Sequence, residues 1–221
     1  MSYYSGVLFD LDGTLLDTAA DLGCATNHAL KQFGYPPISL VQAYQHSSYG
    51  SSALLQAGLG PLYSRTDITP LRKALLDYYR ANLCIETRPY TGVVEVIQWL
   101  NQQQIPWGVV TNKPAWLTEP LLAQMPIFEL CHCIVSGDTL PVAKPDPAPL
   151  LLAAQQLNLP TTKILYVGDA ERDIEAGRRA GMETAVALWG FLAAEDQPEC
   201  WQATHLLHQI SDLTALWHSK A

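Results

Sequence analysis

The chain has 221 residues, 48% of them hydrophobic, and carries a formal net charge of −8 at pH 7. That length suits one compact core with a sizeable insertion, and the apolar content is sufficient to bury a full core. The acidic balance argues against a nucleic-acid partner, because such proteins normally present a basic face. It also repels anions at long range, so a site for an anionic ligand would depend on cations placed beside it.

The sequence shows no targeting or membrane signal, and we expect a soluble, cytoplasmic protein without a membrane partner. The first apolar run starts at Gly6 with no basic segment before it, which is unlike a signal peptide. No apolar run approaches the ~20 residues of a membrane span. The five cysteines are scattered and odd in number, which does not indicate a disulfide framework.

The first predicted strand, Gly6–Phe9, leads into two carboxylates, Asp10 and Asp12. Side chains alternate across a strand, so both acids are expected on the same side of the chain. Gly13 allows a sharp turn after them, and Thr14 offers a hydroxyl beside the acids. Two acids held together need a cation or a shared proton, and hard oxygen ligands favour Mg²⁺. Taken alone, these residues also fit a strand end with two solvated acids.

A helical pattern without strand signals covers residues 18–88. Three helices are predicted in it, starting near Thr18, Leu40 and Thr69. A small, polar stretch over residues 46–52 follows the start of the second of these helices. We therefore predict an all-helical cap domain over residues 18–88, inserted into a core domain formed by residues 1–17 plus 89–221.

From Pro89 onward, predicted strands alternate with predicted helices. The strands are expected at Trp107–Thr111, Cys133–Ser136, Lys163–Val167 and Thr184–Leu188. The helices are expected at Val93–Gln104, Ala115–Gln124, Pro147–Leu157, Glu171–Ala180 and Ile210–His218. This alternation is typical of a parallel sheet covered by helices, so we predict an α/β, Rossmann-like core.

Polar residues follow several of these strands, and ligands of open α/β sheets bind at the carboxyl ends of the strands. Thr111 and Asn112 offer a hydroxyl and an amide to phosphoryl oxygens. Lys144, kept out of a helix by Pro145, offers the cation that clustered acids and a phosphate require. Each of these residues alone also fits an ordinary polar strand end or loop, and Lys113 is an exposed rival for the role of Lys144.

Four segments resemble, in order, the motifs of the haloacid-dehalogenase-like phosphohydrolases: Asp10–Thr14, Thr111-Asn112, Lys144-Pro145 and Gly168–Asp173. The resemblance implies the α/β core domain of that family with an inserted helical cap domain. In that family the first Asp is the nucleophile and the second is the general acid/base, which implies these roles for Asp10 and Asp12. The phosphate contacts implied here are Thr111, Asn112 and Lys144. The implied Mg²⁺ ligands are Asp10, Asp12 through its main-chain carbonyl, and Asp169.

The chain departs from the family pattern directly after Asp169. Many members carry a second acid there, whereas this chain has Ala170. Asp173 follows one helical turn after Asp169, on the same face. We expect Asp173 either to complete the metal site or to support it by hydrogen-bonding Lys144 and waters, with Thr14 in a similar supporting position.

Within the phosphoglycolate-phosphatase-like group, the segments Trp107–Pro114 and Gly190–Trp201 resemble N-acetylmuramic acid 6-phosphate phosphatases. The implied activity is Mg²⁺-dependent hydrolysis of a small phosphomonoester, either N-acetylmuramic acid 6-phosphate or 2-phosphoglycolate. The cap residues expected to select the substrate are Ser47, Ser48, Tyr49, Gly50 and Arg65. Two alternatives stay open: a phosphosugar mutase on the same core, and a non-enzymatic Mg²⁺-binding phospho-acceptor module. The sequence does not distinguish a monomer from a homodimer.

Overall fold

The computed structural model describes residues 4–218, so both ends of the predicted core, residues 1–3 and 219–221, lie outside the description. The strands are β1 (Gly6–Phe9), β2 (Leu16–Asp17), β3 (Arg88–Pro89), β4 (Trp107–Val110), β5 (Cys133–Val135), β6 (Ile164–Gly168), β7 (Glu183–Ala187) and β8 (His205–Leu207). The helices are α1 (Ala19–Gln32), α2 (Leu40–Ser47), α3 (Gly50–Leu59), α4 (Thr69–Ala81), α5 (Val93–Gln102), α6 (Ala115–Leu122), α7 (Ala148–Gln156), α8 (Glu171–Arg179) and α9 (Asp212–His218).

Six strands form a parallel sheet in the order β5-β4-β1-β6-β7-β8. The predicted α/β fold with a parallel sheet is therefore confirmed. The edge strand β8 was not predicted, because three residues are too short to show a pattern of their own. It forms by pairing with β7, a contact between segments about 20 residues apart.

Helices cover both faces of the sheet, and this explains why its central strands are continuous apolar runs. All four residues of β1 are buried. Val7 and Phe9 pack in one core cluster together with residues of α5 and α9. Leu8 points to the opposite face and packs in a second cluster with Tyr166 and residues of α7 and α8. The chain therefore brings the carboxyl ends of β1, β4 and β6 side by side at one edge.

The segment between β2 and β3 contains four α-helices, α1 to α4, where the sequence predicted three. Helix α3 starts within the polar stretch at Gly50, whose φ of 76° turns the chain sharply after α2. Its buried face consists of Leu54, Leu55 and Leu59. In the sequence, the small polar residues at the start of α3 obscure the helical spacing of these leucines. None of the helices in residues 4–218 is long and apolar enough to cross a membrane.

The two ends of this helical segment are joined by a short ribbon and by one buried carboxylate. Strands β2 and β3 pair antiparallel. Beside them, the Asp21 carboxylate in α1 accepts hydrogen bonds from the backbone N–H groups of Glu86 at 2.9 Å and Thr87 at 3.0 Å. The Thr87 hydroxyl donates a third bond at 2.7 Å. Asp21 thus fixes the start of α1 to the chain segment that returns to the sheet.

We expect Asp21→Ala to lower the free energy of unfolding by roughly 2–4 kcal/mol, because it leaves buried donors without an acceptor. Chemical denaturation monitored by circular dichroism measures this change. The matched control is Asp77→Ala, which removes an exposed ion pair with Lys73 and should cost less than about 1 kcal/mol. Equal losses in the two variants would contradict the assigned role of Asp21.

Candidate active site

A cavity of about 340 Å³ lies where the carboxyl ends of β1 and β4 face the helical segment. The core residues that line it are Asp10, Asp12, Thr111, Asn112, Lys113, Pro114, Leu117 and Arg172. The helical segment contributes Leu22, Ser47, Ser48, Tyr49, Gly50, Ser51, Leu76 and Tyr79. The cavity therefore gathers residues as far apart in the sequence as Asp10 and Arg172.

Lys144 lies buried behind the cavity between two acids. Its Nζ is 2.9 Å from Asp10 Oδ1 and 2.7 Å from Asp173 Oδ1. It also donates to the carbonyl of Val110 and lies 2.8 Å from the hydroxyl of Tyr166. Burial raises the pKa of Asp10 and outweighs the nearby Lys144 charge. For Asp173 burial acts in the same direction, but the nearby cations prevail and lower its pKa.

Asn112 holds the backbone of Lys144 in place. Its side-chain amide donates to the Lys144 carbonyl at 3.0 Å, and its side-chain oxygen accepts from the Lys144 N–H at 3.0 Å. The sequence predicted that Asn112 contacts phosphate, and in the structure both polar atoms of its side chain bind the backbone of Lys144. Thr111 is buried at the end of β4, lines the cavity and accepts a hydrogen bond from the N–H of Lys113.

The prediction that Lys113 is exposed is wrong. Its side chain is only 6% exposed, and Nζ lies 2.9 Å from both Asp12 Oδ1 and the hydroxyl of Tyr79. Burial acts to lower the pKa of Lys113, but the Asp12 charge and Tyr79 outweigh it and raise the pKa. Burial raises the pKa of Tyr79 to about 12. Tyr79 belongs to α4, which is distant in the sequence from Lys113. The residues next to Lys113 in the sequence therefore could not show that its side chain is buried.

Asp12 is anchored at one oxygen. Its Oδ1 accepts from Lys113 and, at 2.7 Å, from the hydroxyl of Thr18. Within residues 4–218 the hydrogen bonds to this carboxylate all reach Oδ1. Oδ2 therefore accepts no hydrogen bond from the described residues.

Asp169, at the end of β6, is buried beside the other acids. Thr14 donates to its Oδ1 at 3.2 Å, and Ser48 donates to its Oδ2 at 2.8 Å. Burial, followed by the charges of Asp10 and Asp173, raises the pKa of Asp169 to about 7. Backbone packs tightly around this carboxylate, since a Cβ at Gly13 would lie 2.1 Å from Asp169 Oδ2.

The donor set fits a divalent metal ion. Carboxylate oxygens of Asp10, Asp169 and Asp173 all lie within 4.8 Å of one another. The buried Oδ1 of Asp10 accepts no hydrogen bond from the described residues, although Lys144 is at ion-pair distance. Three buried acids repel one another, and oxygen donors of this kind suit a hard cation such as Mg²⁺. Lys144 is paired with both Asp10 and Asp173, whereas no lysine pairs with Asp169 among the described residues.

The predicted cap residues differ in where they lie. Ser47, Ser48, Tyr49 and Gly50 line the cavity. Arg65 is exposed in the turn after α3 and is not part of the cavity lining.

Arg172, near the start of α8, is a cavity residue that the sequence reasoning missed. Its guanidinium carbon lies 5.8 Å from the ring centroid of Tyr49. Its Nε is buried and has no hydrogen-bond partner among the described residues. Its position beside Asp173, three residues after the strand-end Asp169, is the signal that could have identified it.

Comparison with known proteins identifies the same family as the sequence motifs. The sequence model of the haloacid dehalogenase-like hydrolases matches residues 7–187. An N-acetylmuramic acid 6-phosphate phosphatase from Pseudomonas aeruginosa is 39% identical over 207 residues, covering 94% of this chain and 92% of that protein. A phosphoglycolate phosphatase from Xanthomonas campestris pv. campestris is 41% identical over 215 residues, covering 96% of each.

Among solved structures, a protein described as a predicted phosphoglycolate phosphatase from Haemophilus somnus is similar to this chain over its whole length. The two superimpose with a TM-score of 0.88 at 28% sequence identity. The match covers 98% of this chain and 99% of the other.

We expect the metal-free protein to lose stability as the pH rises from about 4 to 7. The folded state keeps a proton on Asp169 up to about pH 7, whereas the unfolded chain releases it near the ordinary value of 3.8. The folded state therefore binds more protons in this interval, and the free energy of unfolding falls with rising pH. Thermal melts in EDTA measure the slope, and Mg²⁺ should raise the melting temperature more at pH 8 than at pH 5.5.

The matched variant for this measurement is Asp169→Asn, which removes the titrating group. It should flatten the pH dependence of the metal-free protein and reduce the stabilisation by Mg²⁺. The exposed variant Asp77→Asn serves as the control and should preserve both. An unchanged slope in Asp169→Asn would contradict the raised pKa of Asp169.

Proposed function

This chain belongs to the haloacid dehalogenase-like hydrolase family and is a phosphatase, and from that premise we propose how it works and on what. It hydrolyses a small phosphomonoester through an aspartyl-phosphate on Asp10, with Mg²⁺ as cofactor. The observation that carries the proposal is the pairing of two acids in one cavity. Asp10 is buried beside Lys144, and Asp12, two residues later, offers a free oxygen to the same space.

The first step is attack of an Asp10 carboxylate oxygen on phosphorus, as the bond from phosphorus to the leaving oxygen breaks. Asp12, in its protonated form, gives its proton to that leaving oxygen. Mg²⁺, held by Asp10, the main-chain carbonyl of Asp12 and Asp169, would supply positive charge to the phosphoryl oxygens. Lys144 lies beside Asp10 and would add to this charge, while Thr111 offers a hydroxyl.

The second step is hydrolysis of the aspartyl-phosphate. Asp12, now a carboxylate, takes a proton from a water molecule whose oxygen attacks phosphorus. The bond between phosphorus and the Asp10 oxygen breaks, and inorganic phosphate and the free carboxylate are regenerated. Lys113 and Thr18 hold Asp12 Oδ1 throughout, so Oδ2 stays directed at the reacting groups. Residues of the helical segment line the cavity and would exclude bulk water during both steps.

Two alternatives share parts of this arrangement. A phosphosugar mutase would use the same acids but pass the phosphoryl group to a sugar hydroxyl instead of water. A phospho-acceptor module would need Asp10, Lys144 and a metal, but it has no use for a second acid or for a segment that covers the site. The phosphatase names of relatives about 40% identical to this chain favour hydrolysis.

For the substrate we favour N-acetylmuramic acid 6-phosphate over 2-phosphoglycolate. Both names occur among the relatives, so identity does not separate them. Four residues that line the cavity are small, and their size leaves room for a sugar: Ser47, Ser48, Gly50 and Ser51. A volume of about 340 Å³ is also within the usual range of small-molecule sites.

We expect Asp12→Asn to slow hydrolysis of an alkyl phosphate by roughly 10²–10⁴-fold, because the leaving alkoxide then lacks a proton donor. The loss should be smaller for p-nitrophenyl phosphate, whose leaving group scarcely needs a proton. Steady-state kinetics with both substrates measures the difference. Asp10→Asn is the control and should abolish turnover of both. If Asp12→Asn lowered both rates by the same factor, Asp12 would not be the general acid.

The substrate choice predicts a higher kcat/KM for N-acetylmuramic acid 6-phosphate than for 2-phosphoglycolate on one enzyme preparation with Mg²⁺. Product analysis by mass spectrometry on the same reactions separates hydrolysis from isomerisation. A clear preference for 2-phosphoglycolate would reverse the substrate choice and leave the phosphatase mechanism in place. Formation of an isomeric sugar phosphate instead of inorganic phosphate would favour the mutase.

A further inference from the structure

We infer that Arg172 forms a subsite for a carboxylate on the leaving group of the substrate, an inference that rests on the proposed phosphatase function. Neither the predicted cap cation, Arg65, nor the phosphate-binding residues supply such a site. Arg172 is therefore the residue that would let the enzyme distinguish an acidic phosphomonoester from a neutral one.

The first argument is that the other cations at the cavity are already paired. Lys144 lies between Asp10 and Asp173, at 2.9 and 2.7 Å. Lys113 lies 2.9 Å from Asp12. Arg172 lines the same cavity, and within residues 4–218 no carboxylate lies at ion-pair distance from it. A buried guanidinium nitrogen without a partner costs free energy, and an acceptor in the cavity would remove that cost.

The second argument concerns the place of Arg172 in the fold. A cation near the start of α8 opposes the helix dipole, which favours negative charge at that end. Burial acts to lower the pKa of Arg172, but the nearby charges of Asp173, Asp10 and Asp169 outweigh it and raise the pKa. An anion bound in the cavity would add a direct contact to these longer-range interactions. The planar guanidinium group offers parallel N–H donors that match the two oxygens of a carboxylate.

The third argument is the side of the cavity on which Arg172 lies. In-line attack by Asp10 places the leaving group on the opposite side of phosphorus, toward the helical segment that covers the site. Arg172 contacts that segment through the ring of Tyr49, with 5.8 Å between the guanidinium carbon and the ring centroid. The Tyr49 hydroxyl donates to Asp196 at 3.2 Å, which orients the ring. Arg172 thus reaches the leaving-group side through Tyr49 while it also lies within the influence of the Asp10 charge, whereas Lys144 is in direct ion-pair contact with Asp10.

The test uses two substrate pairs whose members differ in a carboxylate. One pair is 2-phosphoglycolate and ethyl phosphate, and the other is N-acetylmuramic acid 6-phosphate and N-acetylglucosamine 6-phosphate, which lacks the lactyl arm. The wild-type enzyme should prefer the acidic member of at least one pair by roughly 10–100-fold in kcat/KM. Arg172→Met should remove most of that preference, mainly through KM. Arg172→Lys should keep part of it, since charge remains but the paired donors do not.

The control is Arg178→Met, which removes an exposed arginine from the same helix and should preserve the preference. Equal losses for both members of a pair in Arg172→Met would place Arg172 on the phosphoryl group and overturn the inference. A wild-type enzyme without any preference for the acidic members would also overturn it, and that measurement needs no folded variant. If wild-type protein with Mg²⁺ hydrolysed neither pair nor p-nitrophenyl phosphate, the proposed phosphatase function would fail as well. If wild-type protein hydrolysed the acidic and neutral members of each pair equally well, only the Arg172 subsite would be contradicted and the phosphatase function would stand.

Discussion

The arrangement of the site depends on one buried ammonium group that lies between two carboxylates. Lys144 Nζ is 2.9 Å from Asp10 and 2.7 Å from Asp173, and all three side chains are at most 4% exposed. Removing one member of such a group leaves an uncompensated buried charge, which typically costs several kcal/mol. The loop that carries Lys144 is accordingly fixed by both polar atoms of the Asn112 side chain. The acid proposed as nucleophile is therefore held by charge balance as well as by its strand.

The helical segment contributes to the electrostatics of the site as well as to its shape. The Tyr79 hydroxyl accepts a hydrogen bond from Lys113, which also donates to Asp12, and the Ser48 hydroxyl donates to Asp169. A phosphatase of net charge −8 must attract an anionic substrate through local cations, and the structure places them at one cavity. The helical segment therefore contributes hydrogen-bond partners to the groups around both Asp12 and Asp169.

The sequence by itself determined the fold class and the edge of the sheet at which chemistry could occur. Buried parallel strands require continuous apolar runs, and these are visible locally, as in β1 and β6. The order of strands and helices then implies that residues at strand ends, such as Asp10, Thr111 and Asp169, meet at one edge. Motif order could be read for the same reason: the motifs are short and contiguous, and three of the four directly follow a strand, the exception being Lys144-Pro145 in the loop after β5.

Only the tertiary structure decided which partner each of these residues has. Lys113 is buried because Tyr79 of α4 packs over it, and no pattern within either segment shows that contact. Arg172 faces the cavity because α8 and the start of α3 converge there, whereas the predicted cation, Arg65, lies outside. Strand β8 exists through its pairing with β7. The local sequence determines which backbone conformation a segment prefers and which of its faces is apolar. Contacts between distant segments depend on how the helices pack against one another and against the sheet. Those contacts determine which charged groups pair in the site.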